Sequence, residues 1–403
     1  MSSRPDLLRR VAARRHAPRL GASIAGAAAL VVALASCSSN GGPANGADPG
    51  TGDAHTANVT ITASKGCLPD RTDFAAGGIT FKINNKDATA VSEVELLDGE
   101  RIVGEKENLP PGLTGEFAVK VGAGTYTLYC PGATPEKVTV TVTGTAHTGD
   151  ASVAALLKTA TDGYATYVNT QIGYLVTSVG KLATALHGTD LTAAQKAYAA
   201  ARPFYEKIEP VAESFTIGSD SLDADIDARA NDVPASQWKG FHKIEKGLFA
   251  DKKLTGLGPL GDQLLTNVEK LQKLAKGLTY QPTELANGAQ ELLDEVASGK
   301  ITGEEERYSH IDLLDIANND EGAEQAFAQL QPALDKIDAT LSQQIQAAFA
   351  ALDKLVDTYR DPAQASGYRL YTALTATDKR ALAAAVKAVQ EPLSNVASKV
   401  ANA

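Results

Sequence analysis

The sequence is short of positive charge. Its 403 residues include 38 lysines and arginines against 48 aspartates and glutamates, so the formal net charge is −10. Proteins that bind nucleic acid present a basic surface, so this balance argues against a nucleic-acid partner. Acidic surfaces commonly serve solubility, and this one is also compatible with a protein that handles cations.

Long apolar runs are scarce too, and the one at residues 21–35, GASIAGAAALVVALA, is short for a membrane span. It follows a start that contains six arginines and no lysine, MSSRPDLLRRVAARRHAPRL. A basic start, a short apolar run and small residues at the break predict an export signal peptide over residues 1–36. Removing it takes away six arginines and one aspartate, so 32 basic and 47 acidic side chains remain, a net charge of −15.

The residues at the predicted cleavage point resemble a bacterial lipobox, whose cysteine is lipidated and becomes the new N-terminus. They are Leu34, Ala35, Ser36 and Cys37. We therefore expect a lipoprotein tethered through Cys37 to the outer face of the cytoplasmic membrane. A plain signal peptide with a chance cysteine is the alternative. Residues 37–56, rich in Gly, Ser, Asn and Asp, predict a flexible tether.

Two kinds of periodicity divide the remaining chain. Residues 57–143 contain short, mostly alternating segments, namely NVTITAS, GITFKINN, EFAVKV, TYTLYC and KVTVTV. They predict a small antiparallel β-sandwich. Residues 151–403 show apolar residues three and four apart, which predicts an α-helical bundle. The predicted fold class is therefore a multidomain chain, all-β followed by all-α.

Cysteine is rare, and only Cys67 and Cys130 remain besides Cys37. Both belong to the predicted β domain. An exported protein meets an oxidising environment, so the pattern favours a structural disulfide. The alternative is a soft-metal site in which two thiolates would suit copper.

Histidine is missing where a copper site would need it. The segment GTYTLYCPG resembles the end strand of a cupredoxin, which delivers a copper-binding cysteine to a loop. The following residues, PGATPEKVTV, contain neither histidine nor methionine, and no histidine lies between His55 and His147. A type 1 copper site needs two imidazoles beside the thiolate. We therefore predict a cupredoxin-like shape without that centre.

Carboxylates are plentiful in the same domain. Glu93 and Glu95 lie two residues apart in SEVELLDGERIVGEKENLPPG, so on a strand they share one face. Like charges this close are unfavourable unless they are solvated or share a cation. A solvated face is the simpler interpretation. If a metal is bound, oxygen ligands suit iron, calcium or manganese better than Cu(I).

The stretch GFHKIEKGLF, residues 240–249, places a titratable pair among aromatic residues. At about 100° per residue, His242 and Glu245 fall on the side of the aromatics and away from the lysines. Their spacing of three puts both side chains on one helix face. A carboxylate that faces a core must be paired, protonated or bound to metal. The two residues could pair with each other, or they could form half of a metal site in a helical bundle.

Further ligands would come from other segments. The segment GSDSLDADIDARAND offers Asp223, Asp225 and Asp227, and ITGEEERYSHIDLLDIANNDEG offers seven side chains. The seven are Glu304, Glu305, Glu306, Tyr308, His310, Asp312 and Asp315. Successive glutamates fan out around a helix, so Glu304, Glu305 and Glu306 cannot all face one site. The pattern does not decide which of them faces inward.

Several separated motifs, in this order, resemble the EfeO family of iron-uptake proteins, which join a cupredoxin-like domain to an imelysin-like helical domain. The motifs are FYEKIEP (204–210), DIDAR (225–229), GFHKIEK (240–246) and SGKITGEEERYSH (298–310). The resemblance covers nearly all of the mature chain. It implies an iron-binding protein outside the membrane that serves an Efe-type permease and a haem peroxidase.

The resemblance also implies site residues. His242 and Glu245 would bind iron, with Asp223 and Glu305 as the best-matched remaining ligands. In the β domain it implies metal, iron or copper, at Cys67 and Cys130 and at Glu93 and Glu95.

Two other functions stay open. A zinc metallopeptidase could use the His-x-x-Glu motif, although His-Glu-x-x-His supplies two zinc-binding histidines and a separate base, and His-x-x-Glu does not. An adhesion or polymer-binding lipoprotein would use His242 and Glu245 only as a structural pair. We favour a protein that is not an enzyme.

Overall fold

A computed structural model describes residues 54–146, 149–217, 220–230 and 232–403. Three predictions lie outside the described residues: the signal peptide over residues 1–36, the lipidation of Cys37 and all but the end of the tether. The described residues all belong to one compact unit.

Strands in the first part of this unit form two sheets, with the orders β2-β1-β4-β7 and β3-β9-β8-β5-β6. The bounds are β1 Thr56–Thr62, β2 Gly66–Pro69, β3 Asp73–Ala75, β4 Gly77–Asn85, β5 Val94–Asp98, β6 Arg101–Lys106, β7 Thr114–Val121, β8 Gly124–Tyr129 and β9 Lys137–Thr143. The predicted β-sandwich is therefore confirmed. Two strand pairs, β1 with β4 and β3 with β9, are parallel rather than antiparallel. The reason is that the chain crosses to the other sheet at β3 before β4 joins β1.

Alternating side chains fill the space between the sheets. Val59 and Ile61 on β1 are fully buried, while Thr60 between them is more exposed. The ring of Phe81 stacks on that of Phe117 at 5.1 Å and meets the edge of Phe74 at 6.0 Å. This alternation is the signal that predicted strands from the sequence.

The cysteines of the sandwich, Cys67 and Cys130, form a disulfide and are fully buried. The disulfide that the residue pattern favoured is thus the one present. The structure corrects the metal role that the resemblance implied for the two residues, because a sulfur in a disulfide is not the thiolate that binds copper.

Asn85, at the end of β4, holds the loops beside it. Its side-chain amide donates to the carbonyl oxygens of Ala88, Val91 and Leu109 at 3.0, 3.0 and 2.7 Å. Its side-chain oxygen accepts the Ala88 N–H at 3.0 Å. The side chain is fully buried, so these bonds replace all of its hydration.

Helices follow from Ala151 onward. They are α1 Ala151–Leu186, α2 Leu191–Glu206, α3 Glu209–Glu213, α4 Asp223–Ile226, α5 Phe241–Glu245, α6 Gly258–Ala275, α7 Pro282–Ser298, α8 Asp312–Ile337, α9 Ala339–Asp357, α10 Ala376–Leu393 and α11 Val396–Ala401. A short hairpin of β10 Thr216–Ile217 and β11 Asp220–Ser221 precedes α4. The predicted helical domain is confirmed. None of the described helices is long and apolar enough to cross a membrane.

Local sequence explains where the long helices begin and what they bury. The Asp150 side chain caps α1 by accepting the N–H groups of Ser152 and Val153. Residues three and four apart on α1, such as Val168, Ile172 and Leu175, are fully buried. This spacing gives α1 a continuous apolar stripe, which packs into the helical core.

The sandwich and the helices contact each other directly. Arg101 on β6 pairs with Glu284 on α7 at 2.6 Å and lies over the ring of Tyr280. The Asn287 side chain on α7 donates to the carbonyl of Ala118 on β7 at 3.0 Å. These contacts hold the edge strands β6 and β7 against the helical domain.

We predict that Asn85→Ala lowers the free energy of unfolding by about 3 kcal/mol, because three buried carbonyls and one N–H lose their partner. The exposed neighbour Asn84 is the matched control, and Asn84→Ala is expected to cost about 0.5 kcal/mol or less. Urea unfolding followed by circular dichroism measures both. Equal losses in the two variants would show that the buried amide does not hold the loops.

Candidate metal centre

Helix α5 carries His242, and a glycine brings this helix close to an aspartate. Gly240 precedes α5 with φ +82°, and a Cβ at this position would lie 2.1 Å from the carbonyl oxygen of Ile226. Only glycine accepts both the left-handed backbone and this close approach. The start of α5 therefore packs against the end of α4, directly before Asp227.

Three buried side chains meet at this point. The His242 Nε2 atom lies 3.3 Å from Glu305 Oε1 and 3.6 Å from Asp227 Oδ1. One ligand-type atom from each of the three residues lies within 4.8 Å of the others, and all three residues are buried. An imidazole nitrogen and two carboxylates form a donor set suited to iron.

The remaining atoms of this group leave room for further bonds. His242 Nδ1, Asp227 Oδ2 and Glu245 Oε2 are buried and have no hydrogen-bond partner among the described residues. Buried polar atoms are normally satisfied. His242 Nδ1 and Glu245 Oε2 face each other at 3.5 Å, whereas Asp227 Oδ2 belongs to the donor set, so this unsatisfied oxygen and the donor set together fit a bound cation.

Glu245 lies next to the group and not within it. Its Oε1 accepts the backbone N–H groups of Tyr308 and Ser309, both at 2.7 Å. Its Oε2 lies 3.5 Å from His242 Nδ1, on the opposite side of the ring from Asp227 and Glu305. Glu245 thus binds the loop that carries Glu305 through one oxygen and contacts the His242 imidazole through the other.

The three glutamates of GEEER point in three directions, because the loop forms turns rather than a helix. Glu304 is exposed and pairs with Arg307. Glu305 is buried and faces His242. Glu306 is buried and accepts from the Tyr198 hydroxyl at 2.8 Å. The structure therefore brings Glu305, the glutamate implied by the resemblance, to His242.

The aspartates upstream separate in the same way. Asp227 joins the group, and Asp225 pairs with Lys239 at 2.5 Å. Asp223, the aspartate implied by the resemblance, accepts the Tyr205 hydroxyl and is not part of the group. The structure thus places Asp227 where the sequence comparison pointed to Asp223.

The other downstream candidates have separate roles. Asp312 accepts the Glu306 N–H at 3.2 Å, and Asp315 lies 3.2 Å from Arg202. The carbonyl of His310 accepts the Tyr371 N–H at 2.8 Å. Tyr308 lines the cavity beside His242.

Two fully buried cations, Arg202 and Lys300, pair with the carboxylates around the three-residue group, and the sequence analysis identified neither. Arg202 on α2 pairs with Glu206 and Asp227 and lies 3.1 Å from Glu306. Lys300 lies 3.2 Å from Glu206 and 2.7 Å from Glu209. No periodic pattern marks a buried cation, since lysine and arginine are usually exposed. The arginine in ARPFYEKIEP and the lysine in SGKITGEEER are the only sequence traces.

Electrostatics fixes the charges of the centre. Burial alone would lower the pKa of His242, but Asp227, Glu245 and Glu305 raise it well above its usual value. Burial would raise the pKa of Glu305, but Lys300, His242 and Arg229 hold it well below the usual range. The pKa of Asp227 is also lowered, because Arg202 and His242 outweigh burial. Two carboxylates therefore face an imidazolium, and a metal cation would take the place of the proton on its Nε2 atom.

Two cavities meet at Glu305. We call the first the outer cavity; it has a volume of about 320 Å³ and is lined by His242, Glu245, Trp238, Arg307 and Tyr308 among others. The second, the acidic cavity, has a volume of about 400 Å³. The carboxylates that line it are Glu93, Glu107, Glu209, Glu213, Asp223, Asp227, Asp232, Glu295 and Glu305. Burial and neighbouring carboxylates raise the pKa of Glu107 and of Glu295 to about 8.

The β-domain glutamates lie at the wall of this region. Glu93 lines the acidic cavity, just before β5. Glu95 is buried opposite Glu105 on β6, and burial followed by repulsion from Glu93 raises its pKa to about 8. Among the described residues these glutamates do not form a group of three close ligand atoms.

Comparison with known proteins agrees with both parts of the fold. The chain matches the family model Imelysin over residues 160–396 and the Cupredoxin-like domain over residues 26–142. The β-sandwich is thus cupredoxin-like, as predicted.

Curated relatives match over nearly the whole chain, and each of those compared is named "Iron uptake system component EfeO". The relative from Escherichia coli O6:K15:H31 is 35% identical over 91% of this chain and 96% of its own length. The relatives from Escherichia coli K12 and Shigella flexneri are 34% identical over the same shares. The chain therefore belongs to the EfeO family of iron uptake system components.

Proposed function

We propose that this chain is the extracytoplasmic iron-binding component of an Efe-type uptake system and that it holds iron at Asp227, His242 and Glu305. The observation that carries the proposal is the buried group of one imidazole and two carboxylates, with ligand atoms within 4.8 Å of one another. Relatives over most of the chain are named iron uptake components. Iron is the cargo, and mixed oxygen and nitrogen ligands suit both of its common oxidation states.

Glu245 supports this centre from outside. With Oε1 bonded to the loop at Tyr308 and Ser309, it keeps Glu305 opposite His242. Its Oε2 faces Nδ1 of the imidazole, so it also orients the ring. The histidine and the glutamate of the motif therefore have different roles, the first as a ligand and the second as a positioning residue.

The location and partners complete the proposal. A signal peptide over residues 1–36 and a lipid on Cys37 would place the chain on the outer face of the membrane, where it would deliver iron to a permease and act with a haem peroxidase. The Cys67–Cys130 disulfide supports an oxidising compartment.

The β domain would assist through its carboxylates. Glu93 opens onto the acidic cavity, and Glu95 has a buried oxygen without a partner among the described residues. Hard oxygen ligands favour iron over Cu(I) in this role.

A metallopeptidase is the less favoured alternative. A general base must reach a water or a substrate proton. Glu245 lines the outer cavity, but one of its oxygens already accepts two backbone N–H groups and the other faces His242 Nδ1 at 3.5 Å. Zinc-dependent peptide cleavage that disappears in Glu245→Gln would overturn this judgement. A chain with no stoichiometric metal and a melting temperature unaffected by chelator would instead favour the structural-pair hypothesis.

We predict that His242→Ala weakens Fe(II) binding by about a hundredfold, because it removes the nitrogen ligand. His187, an exposed histidine that pairs with Asp262 on the surface, provides the control. Anaerobic calorimetry on the purified chain should leave His187→Ala within about twofold of the wild type. Equal binding by the wild type and His242→Ala would remove the site assignment.

The aspartates give a second test, because Asp227 belongs to the buried three-residue group whereas the resemblance implies Asp223. We expect Asp227→Asn to weaken Fe(II) binding by about tenfold or more, while Asp223→Asn changes it by less than about twofold. A melting curve for each variant checks that Arg202 tolerates the change. The reverse order of effects would assign the ligand to Asp223.

Glu245 gives a third test. Glu245→Gln keeps an oxygen that can accept the two loop N–H groups, so affinity should stay within about threefold of the wild type. Glu245→Ala removes that acceptor, and we expect a loss of about tenfold or more. If Glu245→Gln binds as weakly as Glu245→Ala, the carboxylate is itself a ligand.

A further inference from the structure

Arg229 occupies the boundary between the outer cavity and the acidic cavity and lines both of them. It follows α4 in the DIDAR segment, two residues after Asp227. Among the described residues that line the two cavities, it is the one cation that lines both.

The two oxygens of Glu305 have different surroundings. Oε1 faces inward, 3.3 Å from His242 Nε2, 3.7 Å from Arg202 and 3.9 Å from Lys300. Oε2 receives a hydrogen bond from Arg229 Nη1 at 2.9 Å. Arg229 therefore binds Glu305 Oε2, whereas the buried cations Arg202 and Lys300 lie near Oε1.

Arg229 differs from the buried cations in its freedom to move. The side chains of Arg202 and Lys300 are 0% exposed, and each is held by several carboxylates. The side chain of Arg229 is 38% exposed, while Glu305 beneath it is 4% exposed. An incoming metal ion can displace Arg229 toward solvent, but it cannot displace Arg202 or Lys300 without opening the core.

Two other acidic side chains, Asp232 and Glu295, lie where they can accept hydrogen bonds from the displaced guanidinium. Asp232 already accepts from Arg229 Nε at 3.1 Å and from its backbone N–H at 2.8 Å. Glu295 lines both cavities beside it and is one of the carboxylates that raise the pKa of Arg229 against the effect of burial. Arg229 pairs with Glu305 and Asp232 in this structure and not with Glu295, so Glu295 can serve as an alternative partner.

We infer that Arg229 is a displaceable counter-ion that sets the affinity of the centre for its metal and the rate at which the metal leaves. The inference rests on the proposed metal site at Asp227, His242 and Glu305. When metal binds, the Arg229 side chain breaks its ion pair with Glu305 and turns toward Glu295, while its ion pair with Asp232 remains. When Arg229 returns, its positive charge competes with the metal for the same carboxylate and promotes release.

The test compares Arg229→Gln with the wild type. Removing the competing charge should strengthen Mn(II) binding, used as a redox-stable probe, by about tenfold and slow its transfer to a chelator by a similar factor. Calorimetry gives the affinity, and stopped-flow mixing with chelator gives the release rate. Glu295→Ala, which removes the alternative acceptor, should weaken binding by about threefold.

Arg307 provides the matched control, because it is an exposed arginine that lines the same outer cavity but pairs with Glu304. Arg307→Gln should leave affinity and release within about twofold of the wild type, and Arg229→Lys, which keeps the charge, should stay close to the wild type. Equal shifts in Arg307→Gln and Arg229→Gln would indicate a general charge effect and overturn the inference. Unchanged or weaker binding by Arg229→Gln, with an unchanged melting temperature, would also overturn it.

The outcomes separate the two levels of the proposal. If His242→Ala binds Mn(II) as tightly as the wild type does, the proposed metal site itself is wrong. If His242→Ala abolishes binding while Arg229→Gln leaves it unchanged, the site stands and Arg229 serves only to hold the loop. Should Arg229→Gln melt at a lower temperature, its release rate compared with Arg229→Lys still decides, since a loosened fold speeds release and a lost competitor slows it.

Discussion

The guanidinium of Arg202 is the interaction on which the rest of the centre depends. It is fully buried, lies 5.1 Å from the ring centre of Phe241 and is surrounded by carboxylates. These belong to Glu206, Asp227, Glu305, Glu306 and Asp315. An unpaired charge in such a place would cost several kcal/mol, so neither the arginine nor the acids could be buried without the others.

This arrangement also explains how residues far apart in sequence come together. The planar fork of arginine offers several donors in fixed directions, so one side chain can bind carboxylates from several segments. Here those segments are α2, the end of α4, the GEEER loop and α8. The proposed ligands Asp227 and Glu305 are thereby held in place by the fold itself, which would lower the entropic cost of binding a metal.

Much of the fold follows from periodicity, and part of the centre does too. Alternation predicted the strands of the sandwich, and three-and-four spacing predicted the helices, because both patterns depend only on local geometry. The same geometry correctly turned His242 and Glu245 inward, since both lie within α5 and are buried. The helix wheel could not select Asp227, because α4 ends at Ile226 and Asp227 has a non-helical backbone with φ −132°. It could not select Glu305 either, because that residue lies in a loop. The buried cations escape any pattern, because Arg202 and Lys300 are buried only through partners supplied by other segments.

The packing of the sandwich against the helices has a consequence for how water reaches the proposed metal centre. Glu93, Glu107 and Asn108 form one wall of the acidic cavity, and α3, α4 and α7 supply the others. A helical domain without residues 54–146 would keep Asp227, His242 and Glu305 but would lack that wall. The centre would then face bulk water on that side, and its carboxylates would attract a cation through a high dielectric instead of a sheltered one. In this chain the β domain therefore shields the buried charges of the helical domain from bulk water on that side.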